Sequence, residues 1–235
     1  MGAKIRLATN EADRNAVFRF RYEIYVKEMK RVQKYADHEN CMIQEPLDNT
    51  GHLLIAEDSG RTVGTARFNV GVDGNFGLYD DLYRLKEFGS FYPSSVSITT
   101  KLMVSPEFRH SPLPLQLVVR CYVVALRLGD VFDCIDCNEH LVPFFKKLGY
   151  RQVFPDIIHP EYGHVVPMVL AVLDRQHLEH VGSPFARHAR KTTDPRDSVS
   201  FFREKFLSKR DEVPQSSFQV FAENNSGANH DSLIG

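Results

Sequence analysis

The chain has 235 residues, 43% hydrophobic and 25% charged, the balance of an ordinary folded protein. Its 29 Lys and Arg against 30 Asp and Glu give a formal charge of −1, which argues against a protein built mainly to bind nucleic acid. No apolar run approaches the ~20 residues that span a bilayer. The N-terminal MGAKIRLATNEADRN lacks a signal-peptide core, and Thr9 stands too far from Gly2 for a myristoylation motif. These features lead to the expectation of a cytoplasmic protein with no transmembrane segment and with its four cysteines, Cys41, Cys121, Cys134 and Cys137, reduced.

In chain order, KIRLA (residues 4–8) reads as a first strand. Thr9 or Asn10 can cap the helix that follows, with Glu11 and Asp13 placed favourably for the helix dipole. That helix carries Val17, Phe18, Tyr22, Tyr25, Val26 and Met29 at three- and four-residue steps. Residues 30–50 show no period and read as a structured loop. HLLIAEDSGRTVGTARFNV is two strands around an acidic, glycine-bearing turn. A short helix is predicted around LYDDLYRLKEFG, and a β-branched strand over SSVSITTKLMV, ended by Pro106. LPLQLVVRCYVVALRLG predicts a mostly buried helix closed by Gly129. VFDCIDC is a strand, EHLVPFFKKLGY a short helix ending at Gly149, and RQVFPDI and VVPMVLAVLD the last strands. In VFDCIDC the C-x-x-C thiols fall on opposite faces of a strand, so core packing is preferred and no metal is expected. Beyond residue 186 the composition changes. A helix is possible over 198–213, and the Ser, Asn, Gln and Gly-rich stretch after Pro214 predicts disorder. The expected organisation is one domain over 1–186 and a tail over 187–235.

Several of these segments resemble the GCN5-related N-acetyltransferase superfamily. HLVPFFKKLGYR is similar to its last motif, "F-Y-x-K-L-G-F". LMVSPEFR is similar to its central "V-x-P-x-x-R" strand and turn. The N-terminal half, with RYEIYVKEM, EPLD and GTARF in that order, resembles the branch of the N-acyl amino acid synthases and acyl-homoserine-lactone autoinducer synthases. The resemblance covers roughly residues 4–186. It implies an α/β (α+β) fold with a mixed, mostly antiparallel sheet flanked by helices.

It also implies a reaction: attack of an amine on a thioester carbonyl, with a backbone N–H stabilising the oxyanion. By this resemblance the N–H belongs to Met103 or Val104. Arg109 fits the first position of the superfamily's pyrophosphate cradle, and Ser111 can cap the next helix with Pro112 at its first position. The cradle glycines are missing, and Pro112 and Pro114 have no N–H to offer. That weighs acyl carrier protein ahead of CoA as the acyl donor, with the thioester as co-substrate and no tightly bound cofactor. The motif's usual acidic Tyr is Phe145, leaving Tyr122 and Tyr150 as substitutes without an assignment.

Arg21 and Tyr25 share a helical face. In the branch this resembles, charges equivalent to Glu45, Asp48 and Arg67 cluster near the acceptor. They either bind an amine or amino acid there or form an ion-pair network that holds the 30–50 loop on the sheet. The autoinducer-synthase "E-x-x-R" corresponds to Ile98 and Lys101, and its loop Trp has no counterpart, so S-adenosylmethionine is disfavoured. His159 and His164, which flank a turn, are further candidates. The leading expectation is long-chain N-acylation of an amino acid. A CoA-dependent acetyltransferase and a non-catalytic acyl- or partner-binding module stand as alternatives.

Overall fold

A computed structural model describes residues 2–189 and 197–208. Seven strands form one sheet in the order β1-β4-β5-β6-β7-β9-β8. They are β1 (Lys4–Leu7), β4 (His52–Asp58), β5 (Arg61–Val70), β6 (Val96–Val104), β7 (Phe132–Cys137), β8 (Ile157–His159) and β9 (Gly163–Ala171). A separate pair, β2 (Ala36–Asp37) and β3 (Met42–Ile43), lies in the loop after the first helix. Every neighbouring pair in the large sheet is antiparallel except β6 and β7. That parallel pair needs a crossover, and α3 (Leu113–Leu128) supplies it.

The sheet separates two apolar layers by strand alternation. Leu54 and Ala56 of β4 pack with Leu117, Cys121 and Ala125 of α3, whereas Leu53 and Ile55 meet Val17 and Phe18 of α1 (Glu11–Tyr22). Asn10 caps α1 by accepting from the Asp13 N–H at 2.9 Å. Beyond Tyr22 the helix widens into a π-turn over Glu23–Glu28. In β7, Cys134 joins one layer and Cys137 the other, so the two thiols cannot share a ligand. Burial raises both thiol pKa values, that of Cys137 to about 12.

Two glycines in the recognised motifs have steric reasons. A Cβ on Gly64 would stand 3.1 Å from both Leu117 and Val104, so this residue sets how closely β5 approaches α3. Gly149 ends α4 (Val142–Leu148) at φ 108°, and a Cβ there would lie 2.6 Å from Leu178 on α5 (Arg175–His180).

Two expectations are corrected. The short helix after residue 76 is a single turn, α2 (Tyr79–Leu82), followed by 3-10 turns over Leu85–Phe91 that kink at Gly89. RQVFPDI is mostly irregular: Arg151 makes an isolated bridge to Val169, Pro155 has no N–H to give a ladder, and pairing resumes only at Ile157. Of the helix expected over 198–213, α7 (Ser198–Phe202) forms the start and widens over Arg203–Leu207, and residues 209–213 lie outside the described residues. The predicted disorder after Pro214 lies outside the described residues.

The core continues past residue 186. After α6 (Ala186–Ala189), α7 returns to the sheet and buries Phe202 completely. Phe202 lies 5.9 Å from the Phe132 ring, and Phe206 lies 5.2 Å from Phe88. Arg203 donates to Asp174 at 2.8 Å. No helix among the described residues is long and apolar enough to cross a membrane. Phe202→Ala is expected to destabilise the protein by about 3–5 kcal/mol, the penalty of emptying a core aromatic site. Urea unfolding checks this, and a loss below about 0.5 kcal/mol, the scale of a surface change, would show α7 to be an appendage.

Candidate acyl-transfer site

The site begins with a fault in β6. Arg67 faces Thr100 and Thr65 faces Met103, so Lys101 and Leu102 together oppose the single residue Ala66. This is a β-bulge, with Lys101 in the left-handed region at φ 53°. Such a conformation is unfavourable for lysine by about 1–2 kcal/mol and must be held from outside.

A buried charge cluster holds it. Asp48 accepts from Arg21 Nη1 at 2.9 and 2.8 Å and from Arg67 Nη1 at 3.2 Å. The second Asp48 oxygen also accepts the Glu45 backbone N–H at 2.6 Å. Arg67 donates to Glu45 at 2.7 Å and, through Nε, to the Thr100 hydroxyl at 3.0 Å. Glu45 pairs with the Lys101 ammonium, which also meets the Tyr162 hydroxyl and lies 3.6 Å from Glu161. The rings of Tyr25 and Tyr162 lie 5.1 and 5.0 Å from that ammonium. The side chains of Arg21, Asp48 and Arg67 are wholly buried. Burial alone would raise the Glu45 carboxyl, but Lys101 and Arg67 reverse this and hold it at about 2. The cluster therefore pins the EPLD turn to β5.

The bulge coincides with a split in the sheet. β6 and β7 pair only from Val96–Phe132 to Ile98–Cys134 and then diverge. Just before the split, Asp133 of β7 accepts from Thr99 at 2.9 Å and Tyr150 at 2.5 Å, which holds the strands together up to that point. Past it lies a cavity of about 60 Å³, walled by residues 99–102 of β6, residues 135–137 of β7, Asn138, Phe145, Tyr25, Tyr79 and Tyr162. Ser105 donates its N–H to Val63 of β5 at 2.9 Å. Antiparallel alternation then turns the Met103 N–H towards β5 as well, and turns the Leu102 and Val104 N–H groups towards the gap.

The structure thus gathers Arg21, Tyr25, Glu45, Asp48, Arg67 and Lys101 in one place. Arg109 and Ser111 lie elsewhere. Arg109 pairs with Glu28, while the Ser111 hydroxyl donates to the Phe108 carbonyl at 2.8 Å and accepts the Leu113 N–H at 3.1 Å. Helix α3 begins one residue later than expected, with Pro112 as its cap residue. Tyr122 donates to the Val172 carbonyl at 2.7 Å, and Tyr150 is occupied by Asp133.

Sequence reasoning missed Leu102, Tyr79, Tyr162 and Asp136 and left His159 without a role. His159 is buried and stacks on Tyr162 at 4.3 Å; burial and then Lys101 lower its pKa to about 4. One signal was available, the two acids Asp133 and Asp136 inside the otherwise apolar VFDCIDC. The positions of Tyr162 and His159 depend on the register of the β8–β9 hairpin, which nothing local in the sequence specifies.

Several solved structures share this fold. The structure of FeeM, an N-acyl amino acid synthase from uncultured soil microbes, is similar with a TM-score of 0.60 and 14% identity over 79% of this chain and 97% of that one. A CoA-dependent acyl-homoserine lactone synthase, BjaI, with SAM and isopentyl-CoA, gives 0.59 and 17% over 78% and 91%. Another CoA-dependent acyl-homoserine lactone synthase, MesI, gives 0.57 and 20% over 81% and 97%. At these identities the structures establish the shared fold, which extends to other acyltransferases of the N-acetyltransferase type. No curated protein matches the chain. The family model of the N-acyl amino acid synthase FeeM matches residues 16–174, which span the charge cluster, the bulge and the split strands. The chain belongs to the N-acyl amino acid synthase FeeM family and is an acyltransferase.

Proposed function

We propose that the protein transfers an acyl group from a carrier-protein thioester to the amine of an amino acid. The observation that carries this reading is the gap between β6 and β7, faced by backbone N–H groups of β6 and bordered by the Lys101–Glu45 pair. A thioester carbonyl in the gap would meet the Leu102 N–H, with Val104 one strand repeat further along. Fixed donors of this kind stabilise the oxyanion without having to reorganise. Lys101 would take the acceptor's carboxylate, with Glu45 and Tyr25 beside its amino group. Arg21, Asp48 and Arg67 would not touch substrate; they hold the residues that do.

The start of α3 supports a carrier-protein donor. Pro112 and Pro114 have no N–H, Ser111 already occupies the Leu113 N–H, and Glu28 already occupies Arg109. A helix N-terminus binds a pyrophosphate through free N–H groups, and this one has few to offer. A phosphopantetheine arm on a carrier protein makes no such demand.

Purified protein supplied with matched acyl-carrier-protein and acyl-CoA donors and a set of amino acids is expected to release thiol and form N-acyl amino acids. The expected preference in kcat/KM is about tenfold or more for the carrier protein, equivalent to at least ~1.4 kcal/mol of transition-state binding. Equal or better use of acyl-CoA would refute the donor assignment. Turnover of amines other than amino acids would refute the acceptor assignment.

The division between touching and supporting residues is separately testable. Lys101→Met is expected to raise the acceptor KM about tenfold or more, with little change in donor KM. Asp48→Asn is expected to destabilise the protein by about 3–5 kcal/mol, because it leaves the buried Arg21 guanidinium without its counter-charge. Parallel kinetics and urea unfolding of both variants check this; a stable, kinetically impaired Asp48→Asn protein would reverse the assignment.

A further inference from the structure

We infer that Asp136 is the group that takes the proton from the attacking amine. This rests on the reading of the β6–β7 gap as the acyl-transfer site.

Asp136 stands on β7 two residues beyond Cys134, the last β7 residue paired with β6, and lines the cavity. It therefore sits on the wall opposite Leu102. Strand alternation places it on the same face as Cys134, the face that also carries Tyr79 and Tyr83. Its Oδ2 atom is buried without a hydrogen-bond partner of good geometry, although the Tyr83 hydroxyl stands close enough to the carboxylate to lower its pKa against burial. The groups facing it are Tyr79 and Tyr83 from the α2 segment, Lys101 from β6 and Cys137 from its own strand. Lys101, the cation among them, is already engaged with Glu45 and the Tyr162 hydroxyl. Asp133, three residues earlier, shows what a structural carboxylate in this strand looks like: it accepts from Ser97, Thr99 and Tyr150.

A buried carboxylate oxygen with no well-placed donor works against folding. Its position is explained if a donor arrives with substrate, and an amine approaching a carbonyl in the gap is such a donor. The acceptor enters as the free amine. Its nitrogen bonds to the carbonyl carbon while an N–H proton passes to Oδ2 of Asp136. The C–S bond then breaks, the sulfur leaves with its electron pair, and the proton moves from Asp136 to the thiolate. The products are an amide and a thiol, and the carboxylate is regenerated. Burial raises the Asp136 carboxyl to about 6, which suits it to both transfers near neutral pH.

Asp136→Asn tests the proposal in two ways. With whichever amine the wild-type protein acylates, kcat is expected to fall about 100- to 10,000-fold while acceptor KM changes little. The wild-type rate is expected to fall as the pH drops below about 6, and the variant should lose that limb. The second readout is thermal stability. A carboxyl raised in the folded state withdraws stability as pH rises from its unfolded value, about 4, to its folded value, about 6. The melting temperature of Asp136→Asn relative to wild type should therefore climb over that interval and stay level above it.

A variant within about threefold of the wild-type kcat, or one less stable than wild type at neutral pH, overturns the proposal. Asp136→Glu, which keeps the carboxylate, is expected to recover part of the rate; no recovery in a folded Glu variant also counts against it. If the wild-type protein acylates amines but no amino acid, the acceptor assignment fails while this test runs unchanged on those amines.

Discussion

The Asp48 carboxylate is the point on which the site depends. One small acid binds a guanidinium from α1, another from β5 and the backbone of its own loop. Buried ion pairs add little net stability over well-packed apolar residues. What they supply here is position. With Asp48 in place, Glu45 is presented to Lys101, and Lys101 is held in a left-handed bulge that its own backbone preference opposes. The bulge re-aims β6 at the level where β7 turns away. Each step is local and weak, but together they keep a gap open inside a sheet that would otherwise zip shut.

The gap brings two carboxylates into opposite electrostatic regimes. Burial acts on both in the same direction. Glu45 has two cations beside it and is held near 2, whereas Asp136 has no cation in contact and rises to about 6. Environments that separate like groups in this way are a recurring basis for distinct acid and base roles. The difference follows from which wall each group stands on: Glu45 from the loop on the charged side, Asp136 from the strand on the aromatic side.

Much of this was legible in the sequence. Period-two runs marked β4, β5 and β6, the capped amphipathic run marked α1, and GTAR and KLGY marked two close contacts that need glycine. Arg21, Glu45, Asp48 and Arg67 stood out as charges in or beside apolar segments, where burial demands partners. Their pairing was not legible, because it joins residues 19 to 27 positions apart through the packing of a helix and a loop on a sheet. The bulge was invisible for a different reason. SITTKLMV reads as one unbroken strand, and lysine carries no propensity for positive φ. The segment after 186 was read as a tail from its polar composition; the spacing of Phe202 and Phe206 on one helical face was the signal that it returns to the core.

The match to the family ends at residue 174, yet part of the aromatic packing on Phe132 comes from Phe201 and Phe202. The strand that carries Asp133 and Asp136, whose carboxyl pKa values burial raises to about 6, is thus reinforced from behind by chain outside the matched family segment. Peripheral sequence of this kind sets how much local discomfort an active site can tolerate. A lineage that loses such a buttress would be expected to lose the exposed chemistry of β7 before it loses the fold.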